Sequence, residues 1–300
     1  MNHVHALLKS DYAYRRGYFG KDIGIAVLDT GVYAGHPDLR NHILQFKDFV
    51  NGRRGAYDDS GHGTHVCGII GGSGKASEGL CMGIAPLCKL ICLKVLDKRG
   101  NGNTDQVLTA CRWTLENYRR YRIKIVNISV GTIALNDRSE DDVLVRAVNE
   151  LWDAGLIVVA AAGNNGPGNG TVTIPGISRK IITVGALEDG ECENDKKKHY
   201  LYSGRGPTCE CVLKPEVIAP GSNVLSCANY GSDYVRKSGT SMAAPIVSGA
   251  IALLMEAYPM LTNKDIKLRL YRKAVDTGQS RERQGWGLIQ INRLLEPDAL

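Results

Sequence analysis

Short, almost wholly apolar runs recur along this chain, most of them separated by longer stretches with helical spacing, and this alternation limits the fold more than any other feature. Ile23 to Leu28, Leu90 to Leu96, Ile123 to Val130, Leu156 to Ala162 and Ile181 to Val184 read as strands. Val107, Leu108, Cys111, Leu115 and Tyr118 share one helical face. So do Val143, Leu144, Ala147, Val148, Leu151 and Trp152, with Ser139 as the expected cap and Gly155 as the expected stop. Thr262 with Asp265 three residues on reads as a capping box opening a helix through Leu270. Strands that are apolar throughout need cover on both faces, the condition of a parallel sheet between helices. The expectation is an α/β fold of three layers: a doubly wound, mostly parallel sheet with helices on both faces. In such sheets chemistry collects at the carboxyl ends of strands, and Asp29 stands at the first of these ends.

The 300 residues contain no repeat and no low-complexity linker, so one domain spanning 1–300 is expected. The net charge of +6 is modest and scattered, apart from Lys196-Lys197-Lys198. A nucleic-acid surface would need a basic stripe with interleaved aromatics, and no such partner is expected. Uninterrupted apolar runs fall short of the ~20 residues of a membrane span. Met1 to Asp22 lacks the apolar centre of an export signal. Nine cysteines without a Cys-x-x-Cys pair suit free thiols in a reducing compartment better than a framework of bridges. Cys192, His199, Cys209 and Cys211 form a conceivable zinc set. A cytoplasmic protein is expected, the alternative being a processed form of a secreted precursor. Oligomeric state is left open.

Three motifs carry chemistry: Asp29-Thr30-Gly31, His62-Gly63-Thr64-His65, and Gly239-Thr240-Ser241-Met242-Ala243-Ala244-Pro245. A hydroxyl is a weak nucleophile until an imidazole takes its proton, and the imidazole needs a carboxylate to fix its tautomer. Rival readings fail. Asp-Thr-Gly after an apolar strand also marks aspartic proteases, and a second copy stands at Asp276-Thr277-Gly278. That copy follows a basic amphipathic helix instead of a strand. Gly74-Lys75 lacks the earlier glycine and the following Ser or Thr of a phosphate loop. His62 and His65 lack the spacing and glutamate of a zinc-protease helix.

Taken in this order, the motifs resemble those of the subtilisin-like serine peptidases, and the resemblance covers nearly the whole chain. Further matches lie between them: Asn127-Ile128-Ser129-Val130-Gly131, Ala161-Ala162-Gly163-Asn164, Ser203 to Thr208, and Lys214 to Gly221. The resemblance implies a serine endopeptidase with the triad Asp29, His62 and Ser241. It implies an oxyanion hole made by the Asn164 amide and the Ser241 N–H, with a weaker contact from Thr240. In subtilisin itself, loss of that amide costs about 10²–10³ in turnover.

It also implies that a peptide substrate adds as a strand between Ser129-Val130-Gly131 and Gly100-Asn101-Gly102. Ala161, Ala162 and Gly163 would line the first pocket, with Thr173 near its base. No acidic residue lies between Gly163 and Pro175, so a broad or apolar preference is expected there. Asp58 and Asp59 could favour a basic side chain nearby, offset by Arg99. No cofactor is expected for the chemistry. Calcium could serve stability, with Asp38 as a ligand, although 71–82 lacks the Asn-bearing loop that binds it tightly in well-known members. A catalytically silent binding module of the same fold is the alternative.

Overall fold

Seven strands form one parallel sheet in a computed structural model that describes residues 1–131, 140–187 and 201–297. They are β1 (Gly24–Asp29), β2 (Ile43–Asp48), β3 (Lys89–Lys94), β4 (Ile123–Ile128), β5 (Ile157–Ala161), β6 (Ile182–Leu187) and β7 (Val217–Pro220). Their spatial order is β2-β3-β1-β4-β5-β6-β7. Around them run α1 (Asn2–Leu8), α2 (Asp11–Tyr14), α3 (His62–Gly71), α4 (Thr104–Asn117), α5 (Val143–Asp153), α6 (Thr240–Ala257), α7 (Asn263–Lys273), α8 (Arg281–Gln284) and α9 (Ile291–Leu295). A short antiparallel hairpin, β8 (Val224–Cys227) and β9 (Tyr234–Lys237), precedes α6.

Every residue of β1, β5 and β7 is buried, as strands covered on both sides must be. Helices α3 and α6 pack together on one face, while α4 and α5 pack together on the other. The layers are therefore those expected from the sequence. From β1 the chain passes to the edge at β2, returns to β3 beside β1, then crosses to β4 on the far side. The direction of winding reverses beside β1, and Asp29 ends that strand. A crevice opens at such a reversal.

The helix α6 is long and apolar enough to cross a membrane by length and composition, but 83% of it is buried inside the protein. It packs against β4, β5, β6 and β7, and is the central helix of its layer. The capping box at Thr262 and Asp265 is present, both reciprocal bonds included. The cap of α5 is Asp142, whose side chain accepts from Leu144 N; Ser139 lies outside the described residues. So do the lysine run 196–198 and two of the conceivable zinc ligands, Cys192 and His199. Their partners in that set, Cys209 and Cys211, are free and exposed. The strands β2, β7, β8 and β9 have no counterpart in the apolar pattern: β2 and β9 are only partly buried, and β7 and β8 are four residues each, too short to show a period.

Candidate active site

The first two motifs meet backbone to backbone. Gly31 adopts φ +118°, and a Cβ there would lie 2.1 Å from the Tyr57 carbonyl oxygen. A Cβ on Gly63 would lie 2.2 Å from the Gly31 carbonyl oxygen. Only glycine allows both approaches, and the approach brings the end of β1 against the start of α3. Asp58 organises the junction. Its carboxylate accepts from Ser60 N, Gly61 N, Thr64 N and the hydroxyls of Thr30 and Thr64. Burial opposes its charge, but these donors outweigh it and hold its pKa below the ordinary carboxylate value. Thr30 Oγ1 in turn accepts from Gly63 N at 2.8 Å.

His62 thereby faces Asp29, with Nδ1 2.7 Å from Asp29 Oδ1. Thr30 N also donates to Oδ1, at 2.7 Å. The second oxygen, Oδ2, is buried without a partner among the described residues, an arrangement that costs about 1–3 kcal/mol. Burial works against the imidazolium, yet the charge and hydrogen bond of Asp29 prevail and raise the His62 pKa above the ordinary 6.5. Lys237 opposes that rise. His65, three residues on, is a core histidine: Nε2 lies 3.0 Å from both the Val224 and Val235 carbonyls, and burial pushes its pKa down to about 3.

Ser241 is the second residue of α6, where unpaired N–H groups and the positive end of the helix dipole converge. Its hydroxyl donates to the Ser129 carbonyl at 2.8 Å. Pro245 supplies no N–H to the Ser241 carbonyl one turn back, so the first turn of α6 lacks that internal clamp. A buried polar chain fixes the other wall: Ser248 Oγ donates to Asn127 Oδ1 at 2.9 Å, and Asn127 Nδ2 donates to Ser129 Oγ at 2.8 Å. Asn164 is oriented through its carbonyl oxygen, which accepts from Thr240 N at 3.0 Å and Thr240 Oγ1 at 3.1 Å. Its amide donor is left for the cleft. The Thr240 hydroxyl, which also accepts from Gly163 N at 3.0 Å, is spent on holding this turn.

One cleft of about 460 Å³ collects His62, Ser241, Asn164, Thr240, Ser129, Val130, Gly131, Gly100, Ala161, Gly163 and Thr173. A neighbouring apolar recess takes in Asn101 and Gly102, together with Val130 and Gly131 from the opposite wall. Ala162 is buried, and its carbonyl accepts from Thr173 N; it fastens the pocket floor without facing the cleft. Neither nearby acid is free to select a basic side chain. Asp58 is consumed by the start of α3, and Asp59 is ion-paired at 2.8 Å with Lys94, which is fully buried. Asp276 of the second Asp-Thr-Gly lies away from the cleft and accepts from Gly278 N and Gln284 Nε2.

The residues around Asp38 do not fit calcium. Its Oδ1 accepts from Ser73 Oγ and Ala76 N, each at 3.0 Å, and its Oδ2 accepts from the Tyr234 hydroxyl at 2.6 Å. The donors within reach of a shared ion, His36 and Cys227, offer nitrogen and sulfur, whereas calcium takes a shell of oxygens. Sequence reading missed Lys94 and Lys237 and gave Asp58 a role in selectivity instead of its structural one, because these roles depend on what folding places beside each side chain.

Known proteins similar to this chain point to one family. The Subtilase family model matches residues 20–287. The chain is 39% identical over 291 residues to serine protease AprX of Bacillus subtilis, covering 91% of this chain and 65% of AprX. It is 33% identical to subtilisin DY of Bacillus licheniformis, covering 95% of each. Among solved structures it is similar to sphericase, with a TM-score of 0.79 and 34% identity over 90% of this chain and 92% of that one. A matching family model over nearly all of the chain, and a fold shared with a solved structure at 34% identity, place this protein in the subtilase family of serine peptidases.

Proposed function

We propose that the chain is a serine endopeptidase in which Ser241 attacks the peptide carbonyl, His62 carries the proton and Asp29 holds the imidazole. The observation that supports this most is the 2.7 Å Asp29–His62 contact opening into the same cleft as Ser241 and Asn164. In the resting site the serine proton is engaged by the Ser129 carbonyl. A substrate strand that pairs with Ser129 would offer its own N–H to this acceptor and free the hydroxyl to turn toward His62. Attack then forms a tetrahedral adduct whose oxyanion takes the Ser241 N–H and the Asn164 amide, with Thr240 as the positioning residue. Collapse gives an acyl-enzyme at Ser241 as His62 passes its proton to the departing amine. Water repeats the sequence and releases the acid.

The first pocket, walled by Gly131, Ala161 and Gly163 over Thr173, offers no carboxylate among the described residues to a basic side chain, which favours broad or apolar selection. A silent binding module would need none of this alignment. A fluorophosphonate probe separates the readings: it is expected to label the native chain at Ser241, with labelling abolished in Ser241→Ala. A folded native chain that resists the probe and hydrolyses no peptide would overturn the proposal.

A further inference from the structure

The cleft is basic on its surface. Besides His62, the charged side chains lining it among the described residues are Arg99 and Lys237, with no carboxylate. Asp29 is 1% exposed behind the imidazole. Asp59, the acid closest in sequence to the site's rim, is engaged by Lys94. Arg99 sits beside Gly100 on the arm expected to hold the acyl half of the substrate, and its side chain is exposed.

Lys237 is placed differently. It ends β9, three residues before Thr240, and is half-buried. Strand alternation sends Arg236 away from the cleft, where its guanidinium donates to the Asn223 carbonyl. The Lys237 ammonium has no ion pair or hydrogen bond among the described residues, yet its charge reaches both His62 and His65. The strand that carries it packs against α3, where His65 Nε2 lies 3.0 Å from the Val235 carbonyl, and Lys237 lines the cleft together with His62, so it stands on the histidine side.

Mechanism then fixes which half of a substrate it meets. The imidazole must hand its proton to the departing amine, so the chain beyond the scissile bond leaves past His62. The acyl half is occupied with Ser129–Gly131 and the pocket floored by Thr173. We propose that Lys237 is a specificity residue on the leaving-group side, and that the enzyme favours peptides with a carboxylate side chain in the first residue after the cut. The inference rests on the peptidase reading above and names a substrate class within it.

The test uses three quenched fluorescent peptides identical except for Glu, Gln or Lys at that residue. The native enzyme is expected to show kcat/KM for the Glu peptide about five- to tenfold above that for the Lys peptide, the range of one partly solvated ion pair. Raised salt should shrink this ratio. Lys237→Gln should flatten the series and Lys237→Glu should invert it. Equal cleavage of all three by the native enzyme, a ratio indifferent to salt, or the same ratio in both variants would overturn the role of Lys237 and leave the peptidase reading standing. Failure of the folded native enzyme to cleave any of them would instead remove the peptidase reading, and this inference with it.

Discussion

His62 sets the pH behaviour of the site. Its folded-state pKa lies above the ordinary 6.5 because Asp29 outweighs the effect of burial. The pair therefore favours the folded protein most below that pH, and this contribution is lost as pH climbs through the raised value. Activity runs the other way, since only neutral imidazole accepts a proton. A plot of kcat/KM against pH is expected to rise through a midpoint above 6.5, and Asp29→Asn should move that midpoint downward while cutting turnover by roughly 10⁴. A midpoint at or below the ordinary histidine value would contradict the coupling. Asp29, His62, Asn164 and Ser241 are legible from sequence because each is embedded in a string whose neighbours serve the same purpose. Lys237 is not, since nothing around it in the chain announces that it will face an imidazole. Asp58 misleads for the same reason: an acid near a candidate base looks like a specificity element until its five donors are seen.

At the level of elements, the contact between the end of β1 and the start of α3 is what brings acid and base together. Gly31 and Gly63 leave no room for a side chain on either backbone. Gly63→Ala is expected to cost more than the about 1–3 kcal/mol typical of overpacking, because the obstructing atom is a carbonyl oxygen that cannot rotate aside. It should also lower kcat by at least tenfold, since a displacement of about 1 Å is enough to spoil proton transfer. Denaturant unfolding read beside turnover checks both. The strands inside the sheet are legible because they are apolar throughout, and α7 because its cap is local. The edge strand β2 is not, for it alternates burial irregularly and carries Gln45, Lys47 and Asp48. The hairpin β8–β9 is too short to show a period, though its second strand delivers both Tyr234 and Lys237.

Across the whole molecule, the doubly wound order explains why residues so distant in sequence meet: the winding reverses at β1, and α6 starts at the same end, packed beside α3 on one face of the sheet. The segment following α3 is tied down by hydrogen bonds of the protein's own making. Asp38 receives Ser73, Ala76 and Tyr234, and sits fully buried. Tyr234→Phe is expected to lower stability by about 1–3 kcal/mol, the cost of stranding a buried acceptor. A strong chelator should leave the melting temperature of the native chain unchanged, and a rise of several degrees on adding calcium would contradict this reading of Asp38. An enzyme fastened this way carries its buckle within its own polypeptide. At this corner its endurance would then answer to temperature and to self-digestion, and hardly at all to the hardness of the water around it.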